Sequence, residues 1–361
     1  MSSHAQAVLR VLITLALALL VGGVIVALSG KDPAFAYSEL LRSALGNERA
    51  IANSLLAATP LIFTGLATVI AFRAGIFNVG VEGSLYLGAF AAAWAGFTFT
   101  SLPGIILVPL AFVIAGIVGG LWGAIPGYLK ARFRIDEVVT TIMFNYVAIL
   151  FTDYLVNGPF FVPGMANAMS QEVAAQAQLP RILERSQWNV SFLLALLAFA
   201  AVLFLMRRTT LGYEINVHGT NPLFARWAGL PVRRTIVLVM FLSGFIGALA
   251  GAGQALGVHY RFVAGFSRGL GFDGIVVALL GRNTPTGALL AALFFGALRS
   301  GGSTMELFTR IPRDLIDILQ ALIIFFIAID LGFGWLRHRR KTERMATTDI
   351  GERAADVQRL V

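Results

Sequence analysis

The chain has 361 residues, 57% of them hydrophobic and 13% charged, with a mean hydropathy of +0.79. Soluble domains carry about 25% charged residues, so a water-soluble fold is excluded. The net charge of +9 does not point to nucleic acid, because the cations fall between and after apolar runs rather than in a soluble basic domain. With no cysteine, a disulfide framework and a thiolate metal site are excluded as well.

Crossing a hydrocarbon core takes about 20 mostly apolar residues. Runs of about that length occupy 8–28, 51–72, 76–97, 105–129, 138–156, 190–206, 235–256, 272–298 and 315–331. The first is too long for a signal-peptide core and is expected as a retained helix. Between the runs, Lys130, Arg132 and Arg134 share one loop, and Arg207, Arg208, Arg226, Arg233 and Arg234 another. Arg337, Arg339, Arg340 and Lys341 open the tail. The positive-inside rule makes all three regions cytoplasmic, together with the N-terminus.

Nine single crossings would leave the basic tail outside. Parity is restored if 272–298 crosses twice, as two arms around the polar, glycine-flanked stretch Gly281-Arg282-Asn283-Thr284-Pro285-Thr286-Gly287. The expected fold is therefore all-α and polytopic, with about ten transmembrane helices, a broken segment near 281–287 and both termini cytoplasmic. Residues 1–340 form a single transmembrane domain and 341–361 a mobile cytoplasmic tail. Residues 31–50 are expected to hold a short interfacial helix around Tyr37–Leu41, and 157–188 an outer loop with one short helix.

Polar residues within spans are costly and are functional candidates by default. The first group is Arg73-Ala74-Gly75-Ile76-Phe77-Asn78-Val79-Gly80-Val81-Glu82-Gly83-Ser84. Asn78 and Glu82, four apart, would share a helix face, either lining a solute path or, for Glu82, satisfying a neighbouring helix end. In the second group, Asp136 and Glu137 open a helix and complement its dipole. Asn145 lies deeper and either bonds a solute or holds helices together. Asp273 begins the first arm of the broken segment, as an N-cap or facing what the break encloses. Asn78, Glu82, Asn145 and Asp273 are thus the solute-pathway candidates.

No histidine pair has metal-ligand spacing, no serine sits in a nucleophile elbow, and the only Gly-Lys pair, Gly30-Lys31, is followed by Asp32 rather than Ser or Thr. The chain is read as a transport subunit, not an enzyme, with no metal site and no cofactor of its own. In the loop 207–234, Pro222 suits the first turn of a short helix and Gly229 its stop. Phe224 and Trp227 on that helix call for a protein partner or a lipid headgroup surface.

These residues carry a resemblance to the permeases of ABC importers of the ribose, branched-chain amino-acid and nucleoside type, and within them to the nucleoside permeases. Their pattern G-x-F-N-x-G-x-E-G-Q is matched from Gly75 to Gly83, with Ser84 in place of the glutamine. Further matches are Glu137–Tyr146, Gly212–Gly229 and Gly271–Gly281. The resemblance implies a membrane-embedded permease in a prokaryotic cytoplasmic membrane that moves a small polar solute, a nucleoside or simple sugar. It implies three protein partners: an ABC ATPase subunit that hydrolyses ATP, a second homologous permease, and an extracytoplasmic solute-binding protein. Gly212, Tyr213, Gly219, Asn221, Phe224, Ala225, Trp227 and Gly229 would form the loop that couples to the ATPase. The competing expectation is an ion-coupled secondary transporter, in which Glu82 and Asp273 would be cation sites.

Overall fold

The computed structural model describes residues 16–17, 19–28, 30–164, 167–309, 318 and 321–322. Most of the run 315–331 and the whole of the tail 341–361 lie outside the described residues. The chain divides into two compact units, one made of Met1–Ala36 with Pro312–Val361 and the other of Tyr37–Ile311. The first contains helix α1 (Leu19–Leu28).

In the larger unit every regular element among the described residues is helical, apart from the isolated bridges Met169–Val263 and Arg181–Asn189. After α2 (Pro33–Leu45), of which the larger unit holds the part from Tyr37, come α3 (Glu48–Arg73), α4 (Val81–Thr98), α5 (Gly104–Phe133) and α6 (Glu137–Asn157). A 3₁₀ turn at Ala175–Ala177 punctuates the long connection to α7 (Ser191–Arg208), followed by α8 (Thr210–Thr220) and α9 (Pro222–Trp227). Then come α10 (Val232–Gly257), α11 (Leu270–Leu280) and α12 (Pro285–Thr309). Among the described residues α3, α5, α6, α7 and α10 are each long and apolar enough to cross a membrane. The protein is a multi-pass membrane protein.

Caps fix the helix ends. Asn47 accepts the amide of Ala50 (2.9 Å) to start α3, and Asp136 accepts those of Val138 (2.8 Å) and Val139 (3.2 Å) to start α6. Each satisfies donors that a helix N-terminus leaves open. Glu137, next to that cap, is ion-paired with Lys130 of α5 and accepts from the amide of Phe77 (3.3 Å).

The core lies where α10 packs against α5, α4 and α3, with α11 and α12 against α3. Lipid tails are as apolar as leucine, so membrane helices associate through close packing rather than hydrophobic burial, and small residues at the crossings allow it. A Cβ at Gly251 of α10 would overlap the carbonyl oxygen of Leu85 on α4, and one at Gly244 that of Gly119 on α5.

One segment departs from the sequence expectation, and the expected break is found but is shorter. The run 76–97 does not begin as a helix: 75–79 is irregular and α4 starts at Val81. Asn78 and Glu82 therefore do not share a helix face. The break in the run 272–298 occurs at Gly281–Thr284, and the second arm starts at Pro285, a first-turn position that needs no amide donor.

Candidate functional site

The connector between α3 and α4 is fastened to α10 through its own Asn78 and to α6 through Asn145. Asn78 is buried, with 2% exposure. Its Nδ2 donates to Ser243 Oγ of α10 (2.8 Å), and that hydroxyl donates to the Ala67 carbonyl of α3 (2.8 Å). The Asn78 Oδ1 accepts from the Gly80 amide (2.8 Å). From α6, Asn145 accepts from the Gly83 amide (2.8 Å) and donates to the Val79 carbonyl (2.9 Å). Both asparagines thus spend oxygen and nitrogen on protein partners.

Glu82, in the first turn of α4, is equally buried. Its carboxylate accepts from the amides of Gly269 (3.3 Å) and Gly271 (2.5 Å). The local N-cap of α11 is Gly269, which has no side chain to offer, so a carboxylate from another helix does the capping. The helix dipole favours negative charge there. Asp273, one turn along α11, forms an ion pair with Arg299 of α12. The four predicted pathway residues therefore surround one region, where the α3–α4 connector meets α6, α10 and α11. Sequence reading overlooked Ser243 and Arg299. Both were polar positions in or beside an apolar run, which is the signal that could have found them.

The loop 207–234 holds two helices where one was expected. Thr209 Oγ1 accepts the Gly212 amide (3.1 Å) to start α8. Asn221 accepts the Phe224 amide (2.9 Å) to start α9, Pro222 takes the first position, and Gly229 leaves it with φ +75°. Ala225 faces inward and is fully buried, while Phe224 and Trp227 are 56% and 88% exposed, and Tyr213 of α8 is also exposed. Glu214 accepts from the Thr235 hydroxyl (2.9 Å), tying α8 to α10. His218 places Nδ1 2.7 Å from the Ala74 carbonyl; a carbonyl only accepts, so this nitrogen carries the proton. Gly219 passes so close to the Arg73 carbonyl that a Cβ would overlap it. Beside α9 opens a cleft of about 930 Å³ whose lining includes Lys130, Arg132, Arg134, Arg226, Arg233 and Arg234.

A buried polar crossing thus lies inside the helix bundle, and a short helix with exposed aromatics lies beside it. Comparison with known proteins shows the family. A family model described as the permease component of a branched-chain amino acid transport system matches residues 50–328. The chain belongs to this permease family. Similar relatives include the guanosine ABC transporter permease protein NupP of Bacillus subtilis, 39% identical over 88% of this chain and 92% of that protein. The nucleoside ABC transporter permease protein NupB of Lactococcus lactis is 32% identical over 98% of this chain and the whole of its own length. The glucose ABC transporter permease protein TsgB13 of Haloferax volcanii is 35% identical over 87% of this chain and 85% of that protein. As a member of the permease family, the chain is a transport subunit; Asn78, Glu82, Asn145 and Asp273 sit at its internal crossing, and Gly212 to Gly229 on and after the short helices α8 and α9.

Proposed function

We propose that this permease carries nucleosides into the cell as one subunit of an ATP-driven importer. The observation that carries the substrate class is the similarity, over nearly the full chain, to one permease named for guanosine and one named for nucleosides. The glucose relative keeps a simple sugar as the competing cargo. In this reading α9 docks on an ABC ATPase subunit through Phe224 and Trp227, a second homologous permease completes the path, and an extracytoplasmic binding protein delivers the solute. ATP is hydrolysed by the partner alone. The chain crosses ten times with both termini cytoplasmic, counting α11 and α12 as the two arms of the broken run, and 1–340 acts as one permease domain ahead of the tail 341–361. The internal crossing around Asn78, Glu82, Asn145 and Asp273 shapes the path mainly by fixing helices, since each of these side chains is already bonded within the protein.

The test is uptake of labelled guanosine and glucose into vesicles containing the assembled permeases, ATPase and binding protein. Guanosine uptake that requires ATP and the ATPase supports the reading. Preference for glucose shifts the cargo to sugars. Uptake by this chain alone, driven by a proton or sodium gradient, would overturn the importer in favour of a secondary transporter.

A further inference from the structure

Helix α6 has two unlike faces. Thr141, Asn145, Ala148, Thr152 and Val156 are buried against the bundle, and Asn145 fastens that side to the α4 connector. The opposite side is open: Met143, Tyr146, Leu150 and Tyr154 are each more than 60% exposed. An open apolar face on a membrane span ordinarily meets lipid. Two residues here argue otherwise.

Tyr146 stands near the middle of the 21-residue helix, about 14 Å from its first residue at about 1.5 Å per residue. Lipid-facing tyrosines belong at the two ends of a span, where the hydroxyl reaches water. At mid-depth a hydroxyl turned to lipid has nothing to bond. Seven residues on, and so on the same side of the helix, stands Asp153. Its Oδ1 is buried and has no hydrogen-bond partner. Acidic residues within spans face a protein interior or a water-filled cavity rather than lipid. A mid-depth phenol and a half-buried carboxylate with one unbonded oxygen, on one strip, therefore argue for polar surroundings rather than lipid.

We propose that the face of α6 carrying Tyr146 and Asp153 lines the solute path and recognises the nucleoside. The exposed ring of Tyr146 offers a stacking surface for the base, a contact every base can make through its π-face. Asp153, about 10 Å further along the helix, accepts hydrogen bonds from the N–H groups of the base or the hydroxyls of the ribose. Charge-assisted bonds of this kind are the stronger class. The proposal rests on the nucleoside reading for the identity of the solute, but not for the wetness of the face.

The absence of native cysteine makes the test direct. Tyr146→Cys, and Phe161→Cys in the exposed segment after α6 as the positive control, are assembled with the other subunits in vesicles. They are treated with a membrane-impermeant thiol reagent, and labelling is read on this chain. In parallel, guanosine uptake is measured for the unsubstituted chain and for Asp153→Asn. The expected results are labelling of both cysteines, protection of Tyr146→Cys alone by guanosine, and a KM raised on the order of tenfold in Asp153→Asn. Labelling of Phe161→Cys without Tyr146→Cys overturns the proposal, as does labelling that guanosine leaves unchanged in an assembly that transports guanosine. If the unsubstituted assembly transports no guanosine, the nucleoside reading fails, and the labelling alone decides whether this face lines a path.

Discussion

The carboxylate of Glu82 receives the backbone amide of Gly271 at 2.5 Å, so a side chain of α4 closes the amino end of α11. This acid, which by position could have been a solute or cation ligand, is bonded to a helix terminus.

Glu82→Ala should consequently behave as a folding defect. Removing the acceptor leaves the amides of Gly269 and Gly271 without a partner, at about 1–3 kcal/mol for each buried donor. Glu82→Gln, which keeps one acceptor oxygen, should be milder. Thermal unfolding in detergent should give Tm values in the order wild type, Gln, Ala, while guanosine KM in the surviving protein stays unchanged. A raised KM with unaltered Tm would return Glu82 to the solute.

The ion pair between Asp273 and Arg299 joins the two arms of the broken run, with both side chains mostly shielded from solvent. Removing one partner from a buried pair costs about 3–5 kcal/mol, because a charge is left uncompensated. Asp273→Asn and Arg299→Gln should each lower the yield of folded protein, and the double variant should recover part of the loss. A double-mutant cycle on Tm measures the coupling. Additive losses would mean that the pair does not join the arms.

Gly251→Ala tests the contact between α4 and α10. Its new methyl group would meet the Leu85 carbonyl, and overpacking of this sort costs about 1–3 kcal/mol. Gly229→Ala is the contrast: it faces open space and strains only a left-handed turn outside the bundle (φ +75°). The expected outcome is a lower Tm for the first and a much smaller change for the second.

Replacing Phe224 and Trp227 together by alanine should abolish co-purification of the ATPase and stop uptake while leaving Tm within the error of wild type. Exposed aromatic anchors of an interface commonly contribute 2 kcal/mol or more to binding, roughly thirtyfold in affinity. Ala225→Leu makes the opposite test, since Ala225 is fully buried. It should displace α9 from the body and impair docking with both aromatics intact.

Sequence alone was sufficient for features whose causes are local. Asp136 at the start of α6, and the frame from Pro222 to Gly229 around α9, act within one helical turn. Hydropathy located α3, α5, α6, α7 and α10 because each is a continuous apolar run. It failed at 76–79, where Ile76, Phe77 and Val79 prolong the apolar pattern backwards but Gly75 (φ +69°) and the Asn78–Gly80 bond hold the backbone out of a helix. Helix α8 escaped because its sequence, with Glu214, Asn216 and two glycines, has the composition of a loop; the Thr209 cap was its one local sign. For Asn145 and Glu82 the sequence offered helix fastening and solute contact as alternatives and could not name the partners. Their partners are more than sixty residues away in the first case and more than 180 in the second, distances that only the packed bundle closes.

The bond between His218 and Ala74 has a mechanical meaning. From α9, the backbone passes through Asn221 directly into α8; α8 touches the end of α3 through a ring nitrogen at 2.7 Å and through Gly219, which admits no side chain between the two strands of backbone. The next residues carry Asn78, gripped by α10, and then Glu82, which holds the start of α11. A continuous path of backbone and short, bonded side chains therefore joins α9 to the broken run. If an ATPase subunit docks on α9 as proposed, its displacement would meet a linkage of stiff levers with little slack, one built to conserve the amplitude of a stroke rather than absorb it.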